Sequence, residues 1–333
     1  MHNESSFLNR LSHLRIAIIG DVMVDSYIWG KAERLSPEAP VPVVNVKGRS
    51  NRMGGAANVA LNIRALGAEP LLFSVTGNDA RGEEFQLLMK EAGLNPKGVL
   101  RSPDRITTTK HRIIANQNQL LRVDEEMTDS LIPADHERLL SAIRAGIHSQ
   151  RPDMIVFQDY DKGVITPGLI GEITSLARQE GIGICVDPKR EHFMDYKDVL
   201  LFKPNLKEIR EGYKGNHSNG LEVMMADLQQ EIRAELLLVT LSEAGMALRH
   251  APRHGEAVFH SLPAQVRNVA DVSGAGDTVI SVAALCLAAG YSPVLSASVA
   301  NVAGGLVCEE VGVVPVRPER LLPELTRLGI DLT

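Results

Sequence analysis

The chain has 333 residues, of which 44% are hydrophobic and 23% are charged, a composition typical of a folded globular protein and not of a disordered, collagen-like or coiled-coil chain. The net charge of −6 provides no basic field for a nucleic-acid backbone or an anionic membrane, so we expect small-molecule partners, no nucleic acid and no membrane. The length fits two domains, or one large α/β domain with an appendage.

The N-terminal segment MHNESSFLNRLSHLR is polar and lacks the apolar stretch and the small-residue cleavage site of a secretory signal. The longest apolar run, around residues 279–289, is too short to cross a bilayer and predicts a buried helix. Cys185, Cys286 and Cys308 are widely spaced within apolar segments, which fits core packing in a reducing compartment. These features predict a cytoplasmic protein.

Short β-branched runs alternate with longer helical patterns along the chain, which predicts an α/β fold with a mostly parallel central sheet and helices on both faces. The predicted strands are residues 15–19, 71–75, 154–157, 183–186, 199–202 and 236–240. The predicted helices are residues 56–66, 82–92, 133–147, 167–179 and 221–232. Gly67, Gly93 and Gly181 are placed to end three of these helices.

Two half-polar extended segments, residues 41–47 and 107–123, interrupt this alternation. Their pattern fits a small antiparallel sheet with one dry face and one wet face. We therefore predict a small β-sheet lid, formed approximately by residues 38–50 and 105–124 and entered through the Pro-rich turn at residues 36–40. The lid would be an insertion into a single domain of residues 1–333.

The segment Asp271-Val272-Ser273-Gly274-Ala275-Gly276-Asp277-Thr278 precedes an apolar helical pattern. Its glycines allow a tight turn, and the following helix directs free N–H groups and the positive end of its dipole toward an anion. Asp277, in the first helical turn, is placed to take a proton from a hydroxyl that attacks a phosphate held there. The alternative is an ordinary strand-to-helix loop with a capping aspartate.

A second pair of glycines, Gly54 and Gly55, opens the helix predicted at residues 56–66. These glycines allow backbone N–H groups to approach a ligand, and Asn58, one turn later, can donate and accept hydrogen bonds toward sugar hydroxyls. The alternative is close packing of the helix on the sheet, with Asn58 exposed.

Asp21 and Asp25 follow the first predicted strand. Ligands of open parallel sheets bind beyond the carboxyl ends of the strands, so both acids are candidate acceptors of sugar hydroxyls. No G-x-G-x-x-G follows this strand and no G-x-x-x-x-G-K-[ST] occurs in the chain, which disfavours a nicotinamide enzyme and a P-loop NTPase.

Taken together, residues 271–277 resemble the C-terminal signature of the ribokinase (PfkB) carbohydrate kinase family, and residues 54–60 resemble its N-terminal signature. The signatures occur in the family's order, and the lid and the strand–helix alternation extend the resemblance over nearly the whole chain. The resemblance implies a ribokinase-like fold and an enzyme that transfers the γ-phosphate of ATP to a sugar hydroxyl.

Within this family, further segments resemble the heptose-7-phosphate kinases, the subgroup formed by the kinase domains of bifunctional ADP-heptose synthases. The segments are residues 20–25, 34–44, 159–163, 187–189, 204–208 and 240–246. The resemblance implies phosphorylation of the anomeric hydroxyl of D-glycero-β-D-manno-heptose 7-phosphate to the 1,7-bisphosphate. Arg190 stands where the subgroup usually has glycine. That departure leaves open another sugar kinase of the family, acting on fructose, a hexose phosphate or ribose.

The resemblance also implies the roles of individual residues. Asp277 would be the base, and the backbone N–H groups of Ala275, Gly276 and Asp277, in the turn that Gly274 begins, would form the anion hole. ATP and Mg²⁺ are the implied cofactors, with Glu208 acting on Mg²⁺ through water because this ion keeps much of its hydration shell. The residues implied to bind the nucleotide are Asn205, Glu208, Thr240, Ser242, Gly245, Gly274, Gly276 and Asn301. Ala303 would line the adenine slot beside Asn301. The alternative is that both residues serve only in the packing of their small-residue helix against its neighbours.

A phosphorylated sugar also needs a cationic receptor. Candidates are Lys110, Arg112 and Arg122 near the lid, and Lys162, Lys189 and Arg190 at predicted strand ends; Lys162 and Lys189 are preferred because each lies in a subgroup motif. The remaining residues predicted to bind the sugar are Asp21, Asp25, Gly54, Gly55, Asn58 and Asp159.

Three expectations concern partners and alternatives. By resemblance, we expect a homodimer through the lid. The sequence shows no nucleotidylyltransferase domain after the kinase, so we expect a separate polypeptide to carry out any nucleotide transfer downstream. A protein that keeps the fold but only binds a sugar phosphate is the alternative from a different class, and Asp277 in an intact Gly-Ala-Gly turn disfavours it.

Overall fold

The computed structural model describes residues 2–116, 118–215, 220–252, 255–265 and 267–332. Its strands are β1 (Arg15–Gly20), β2 (Val22–Leu35), β3 (Pro42–Gly55), β4 (Glu69–Gly77), β5 (Val99–Ser102), β6 (Thr109–Ala115), β7 (Asn118–Glu125), β8 (Met154–Gln158), β9 (Gly183–Asp187), β10 (Leu201–Phe202), β11 (Leu236–Thr240), β12 (Met246–His250) and β13 (Val258–Leu262). Its helices are α1 (His2–Ser12), α2 (Ala56–Ala65), α3 (Ala80–Glu91), α4 (Pro133–Gln150), α5 (Pro167–Glu180), α6 (Leu206–Gly212), α7 (Leu221–Ile232), α8 (Ala275–Ala288), α9 (Pro293–Val307) and α10 (Pro318–Arg327), with short 3₁₀ turns at Pro96–Gly98 and Ser242–Ala244.

The central sheet has the strand order β13-β12-β11-β10-β9-β8-β1-β4-β5. Its pairs are parallel from β11 through to β5, whereas β11–β12 and β12–β13 are antiparallel. All six predicted strands lie in this sheet, so the predicted α/β class is confirmed. Because the parallel strands run in one direction, their carboxyl ends meet at one edge of the sheet, and the candidate site lies there.

Helices cover both faces of this sheet, so alternate residues of each central strand enter different cores. In β1, Ile16 and Ile18 pack in the core formed with α2, α8 and α9. Ala17 and Ile19 point to the other face and pack in the core formed with α4, α5 and α7. This two-sided burial explains why the strand sequences are nearly continuous apolar runs.

Local signals in the sequence set the ends of the helices. Helix α5 begins after Thr166, whose side chain accepts a hydrogen bond from the backbone N–H of Leu169, and Pro167 fits the first helical position. It ends at Gly181, where φ is +70° and glycine has no steric penalty. Among the described helices, none is long and apolar enough to cross a membrane.

The lid is a four-stranded sheet with the order β3-β2-β6-β7, and it is larger than predicted. Strand β2 begins two residues after β1 ends, and its apolar start looked like the end of the first strand in the sequence. The prediction of a purely antiparallel lid is also wrong, because β2 and β6 pair in parallel. The turn between β6 and β7 includes Asn116, whereas Gln117, part of the predicted extended segment, lies outside the described residues.

Candidate active site

Asp277 lies in the first turn of α8, at the carboxyl edge of the central sheet, with only 3% of its surface exposed. Gly274 caps this helix with a φ of +82°, a left-handed conformation that glycine adopts without strain. A Cβ atom on Gly274 would lie 2.7 Å from Nδ2 of Asn58, so the close approach of α8 to α2 also requires glycine. The two glycine-rich segments of the sequence therefore meet at one point.

Three side chains donate hydrogen bonds to the carboxylate of Asp277. Asn58 Nδ2 donates to Oδ2 at 2.8 Å, whereas the Tyr160 hydroxyl at 2.6 Å and Gln158 Nε2 at 3.1 Å donate to Oδ1. Oδ1 of Asn58 in turn lies 3.3 Å from its donor, Nδ2 of Asn62. Asn58 was predicted to bind the sugar, but its amide is engaged with the aspartate, so the structure gives it the role of holding Asp277.

The surroundings of Asp277 suit a proton acceptor. Burial raises the pKa of its carboxyl group to about 6, against the opposing effect of the donors Tyr160 and Asn58. The negative charge of Asp187 also raises this pKa, whereas the positive charge of Lys189 lowers it. Asp277 is thus ionised at neutral pH, yet more basic than an exposed aspartate, as a general base requires.

A second group of charged residues borders Asp277 on the side of α6. Asp187, at the end of β9, forms an ion pair with Lys203 at 3.1 Å and accepts a hydrogen bond from Gln158 Nε2 at 3.1 Å. Its other oxygen, Oδ1, is buried without a hydrogen-bond partner in the described structure. A buried carboxylate oxygen without a partner is costly, so this atom is a candidate ligand for a bound cation.

Glu208 and Asn205 form the N-terminal cap of α6. The Asn205 side chain accepts a hydrogen bond from the backbone N–H of Glu208 at 2.8 Å, and Glu208 Oε2 accepts one from the backbone N–H of Asn205 at 2.8 Å. Oε1 of Glu208 pairs with Lys189, whose Nζ lies 5.2 Å from the ring centre of Tyr160. Lys189 was preferred as a receptor for the sugar phosphate, but the structure pairs it with the predicted nucleotide residue Glu208.

Asp25 lies at the junction of the lid and the domain, with 2% of its surface exposed. Its carboxylate pairs with the guanidinium of Arg112. Burial raises the pKa of Asp25, although Arg112 opposes the effect. A Cβ atom on Gly54 would lie 2.1 Å from Oδ2 of Asp25. The predicted glycine therefore packs directly against the ion pair of Asp25 and Arg112.

Asp21 and Asp159 hold a loop in place. Asp21 accepts hydrogen bonds from the backbone N–H groups of Tyr160, Lys162 and Val164 at 2.9–3.2 Å. Asp159 accepts from the backbone N–H of Asp161 at 2.9 Å and from the Tyr196 hydroxyl at 2.8 Å, and burial raises its pKa to about 7. Both acids were predicted to bind sugar hydroxyls, and in this structure their hydrogen bonds fix residues 159–164. Gly55, with a φ of +63°, makes the turn into α2, where a Cβ atom would lie 2.4 Å from the Asp21 carbonyl oxygen.

Lys110 and Lys162 share a carboxylate partner, which changes the prediction that they receive the sugar phosphate. Lys162 lies 2.9 Å from Glu126, and Lys110 lies 3.3 Å from Glu126 and 3.2 Å from Asp124. Arg122 also pairs with Asp124, at 2.9 Å. In this structure the three cations share two carboxylates, so the group keeps a net positive charge.

The predicted nucleotide residues lie along the loop after β11. Thr240 bridges to Asn205 at the start of α6, and Ser242 and Gly245 adopt left-handed conformations with φ of +54° and +92°. Asn301 donates hydrogen bonds to the carbonyl groups of Leu262 and Pro263 at 3.3 and 2.9 Å, so it holds the loop after β13. Ala303 is completely buried in the core and does not line an open slot, which corrects that prediction.

Four further residues of this site were not assigned these roles from the sequence. Tyr160 and Asp187 lay within segments singled out for resemblance, but only their aspartate and lysine neighbours were assigned roles. Gln158, Asp187 and Lys203 each end or directly follow a central strand, so the rule that ligands bind at the carboxyl ends of parallel strands would have indicated all three.

Comparison with known proteins identifies the family. The model of the pfkB family of carbohydrate kinases matches residues 13–320. The chain belongs to this family. It is therefore a phosphotransferase that acts on a sugar hydroxyl, as the resemblance implied.

Curated relatives and solved structures agree with this assignment. The chain is 38% identical over 322 residues to the bifunctional protein HldE of Citrifermentans bemidjiense, covering 96% of this chain and 65% of the relative. It is 39% identical over 318 residues to the bifunctional protein HldE of Desulfatibacillum aliphaticivorans, covering 94% and 63%. The chain thus spans slightly less than two thirds of these relatives.

Two solved structures show the ribokinase-like fold. Phosphofructokinase-2 from Escherichia coli in complex with potassium has a TM-score of 0.77 at 16% identity, covering 95% of this chain and 99% of that one. Ribokinase from Arabidopsis thaliana complexed with ribose and ATP has a TM-score of 0.70 at 17% identity, covering 94% of this chain and 99% of that one. The predicted fold class is confirmed.

Proposed function

We propose that this kinase transfers the γ-phosphate of ATP to the anomeric hydroxyl of D-glycero-β-D-manno-heptose 7-phosphate, giving the 1,7-bisphosphate and ADP. The observation that carries the chemistry is the buried carboxylate of Asp277 in the first turn of α8. The heptose substrate is supported by the sequence segments that resemble heptose-7-phosphate kinases and by relatives named bifunctional protein HldE at 38–39% identity.

In this proposal, Asp277 accepts the proton of the attacking sugar hydroxyl, and α8 binds the transferred phosphoryl group. The first N–H groups of a helix have no acceptor within that helix, and its dipole favours an anion there. The N–H of Ala275 donates to the carbonyl of Val272 at 3.3 Å, so Gly276 and Asp277 are better placed to donate to the phosphoryl oxygens. On the sugar side, Asp25 and Gly54 border the space that the sugar would occupy.

Mg²⁺ fits the residues beside Asp277. Asp187 offers a buried oxygen without a partner among the described residues, and Glu208, in the first turn of α6 with its oxygens bonded to Asn205 and Lys189, would act through water. Two carboxylates suit Mg²⁺, which usually binds to one or two protein carboxylates together with water and substrate phosphates. When bound with ATP, the ion would neutralise phosphate charge, and Lys203 would add positive charge near the same point. Asn205 and the 240–245 loop would hold the nucleotide.

A substrate panel tests the proposed sugar. Purified protein with Mg-ATP is assayed for ADP release with heptose 7-phosphate, fructose 6-phosphate, fructose and ribose, each with and without Mg²⁺. We expect Mg²⁺-dependent turnover that is selective for heptose 7-phosphate. Turnover of fructose or ribose, with no turnover of heptose 7-phosphate, would contradict the proposed substrate but would still support the proposed phosphoryl transfer. Sugar-phosphate binding without any turnover would contradict the catalytic proposal.

We also propose that the protein forms a homodimer through its lid. The side chains of Leu120, Leu121 and Val123 on β7 are 41–53% exposed. Several apolar side chains exposed on one strand favour burial against a partner. A second copy of the chain is the partner that the family resemblance implies.

A further inference from the structure

The side chain of Tyr160 lies where the acceptor hydroxyl must approach the proposed base. Its hydroxyl donates to Oδ1 of Asp277 at 2.6 Å, and this aspartate is only 3% exposed. The two other donors to the carboxylate are Gln158 and Asn58. Each carboxylate oxygen accepts about two hydrogen bonds, so an incoming hydroxyl reaches Oδ1 only where Tyr160 or Gln158 gives way.

Of the three donors, Tyr160 is the one least tied into the buried hydrogen-bond network. Asn58 and Gln158 are completely buried. Each also makes a second hydrogen bond, Asn58 with Asn62 and Gln158 with Asp187 at 3.1 Å. Tyr160 as a whole residue is partly exposed. Displacing Asn58 or Gln158 would break a buried network, whereas displacing the Tyr160 hydroxyl would break the bond to Asp277 and leave those second hydrogen bonds intact.

The backbone around Tyr160 stays fixed when its side chain moves. Its N–H donates to Oδ2 of Asp21 at 2.9 Å, and the next N–H, that of Asp161, donates to Asp159 at 2.9 Å. Rotation of the side chain alone would therefore free one acceptor position on Oδ1 of Asp277, which Gln158 also contacts. The ring also lies 5.2 Å from Nζ of Lys189, which stabilises its position when no sugar is present.

We propose that the Tyr160 hydroxyl takes the place of the acceptor hydroxyl while the sugar site is empty, and that it yields this place to the sugar. The inference rests on the proposed role of Asp277 as the base. Its consequence is protection of ATP. Without the tyrosine, a water molecule occupies the same place. The water oxygen then bonds to the γ-phosphorus, its proton passes to Asp277, and the bond to the β,γ-bridging oxygen breaks, giving ADP and inorganic phosphate.

The variant Tyr160→Phe keeps the ring and removes the hydroxyl. We expect ATP hydrolysis without sugar to rise at least about tenfold above wild type, because a hydrogen bond to a charged group contributes roughly that much. Tyr196→Phe is the matched control, since Tyr196 donates to Asp159 at 2.8 Å and is completely buried. It should leave hydrolysis without sugar at or below the wild-type rate. A second variant, Tyr160→Leu, also lacks the hydroxyl and should raise hydrolysis in the same direction.

A rate at or below wild type in both Tyr160 variants, with their folding confirmed by thermal denaturation, would overturn the inference and leave Tyr160 a structural role. The double variant Tyr160→Phe with Asp277→Asn separates this failure from that of the proposed base. We expect it to lose the gained hydrolysis. A gain that survives without Asp277 would show that water attacks without this base, which contradicts the proposed role of Asp277 and the inference with it.

Discussion

At the scale of single residues, the environment of Asp277 sets the pH range in which the proposed base is ionised. The aspartate combines burial, which weakens its acidity, with hydrogen-bond donors that keep the ionised form stable. The opposing charges of Asp187 and Lys189 lie nearby and shift this balance in opposite directions. A general base must be ionised before the sugar hydroxyl can transfer its proton, so the pKa of this group has a direct kinetic consequence.

The first prediction is a pH dependence. Because burial raises the pKa of Asp277 to about 6, protonation should remove the base as pH falls through that value. We expect kcat/KM to fall by about tenfold per pH unit on the acidic side and to level off toward neutral pH. A pH–rate profile, with circular dichroism at each pH to confirm that the protein stays folded, measures this. Constant kcat/KM down to pH 5 in folded protein would contradict the assignment.

Residue types alone predicted some contacts of the site and not others. The position of Asp277 beside a glycine turn could be predicted from local sequence, because a glycine turn and a helix N-terminus are set by neighbouring residues. The ion-pair partners of Lys110 and Lys162 could not be predicted in this way. Both lysines bind Glu126, which meets them only because β6, β7 and the 159–164 loop converge. Such pairing depends on tertiary structure, so a surface lysine and a ligand-binding lysine look alike in sequence.

At the scale of elements, strand β3 carries a glycine whose side-chain space is already filled. A Cβ atom on Gly54 would lie 2.1 Å from Oδ2 of Asp25. We expect Gly54→Ala to displace this carboxylate and raise the KM for the sugar at least about tenfold, as loss of a charged hydrogen bond does. The KM for ATP should change little.

The control for this variant is on the same strand. Gly48 has open space where its Cβ atom would lie, so Gly48→Ala should leave both KM values near wild type. Steady-state kinetics with each substrate varied in turn gives the four values. An equal effect of the two variants, or an unchanged sugar KM in Gly54→Ala, would exclude the proposed contact between Asp25 and the sugar.

Helix caps offer a second test at this scale. Asn205 caps α6 and Ser292 caps α9, each accepting a hydrogen bond from a backbone N–H three residues later. Replacing either by alanine should lower the free energy of unfolding by about 0.5–2 kcal/mol. Only Asn205→Ala should also raise the KM for ATP, since α6 borders the proposed nucleotide site. Urea denaturation and ATP kinetics check both effects, and similar kinetics for the two variants would argue against a nucleotide role for Asn205.

Helices and strands were predictable where a single hydrophobic periodicity, helical or extended, dominated the segment. Strand β8 and helix α5 are confirmed to within a residue or so because apolar runs and caps mark their ends. Strand β2 was missed because it follows β1 after a single residue and shares its apolar character. Its parallel pairing with β6 joins segments more than 80 residues apart, and no local pattern encodes that register.

At the scale of the whole molecule, the sheet order brings distant motifs to one edge. Asn58 and Asp277 are 219 residues apart in sequence and 2.8 Å apart at their polar atoms. The lid extends from this edge through β2 and β3, so the residues proposed to face the sugar lie where lid and domain join. Assembly through the lid would therefore affect the same edge of the molecule that carries the site.

We expect Leu121→Glu to convert the proposed dimer to a monomer, because a charge at an apolar interface loses its hydration. Leu87→Glu is the matched control, since Leu87 is similarly exposed but lies on α3, outside the lid. Sedimentation velocity at several protein concentrations measures the mass. A wild-type monomer at all concentrations, or dissociation by Leu87→Glu alone, would refute assembly through the lid.

The most direct test of the central claim is the turnover of Asp277→Asn, compared with Asp227→Asn on the exposed face of α7. Both variants are assayed for ADP release with Mg-ATP and the sugar that wild type prefers, after their folding has been checked by thermal denaturation. We expect Asp277→Asn to lose about 10²- to 10⁴-fold in kcat with a similar KM for ATP, and Asp227→Asn to match wild type. A folded Asp277→Asn that turns over the sugar within a fewfold of wild type would contradict the account.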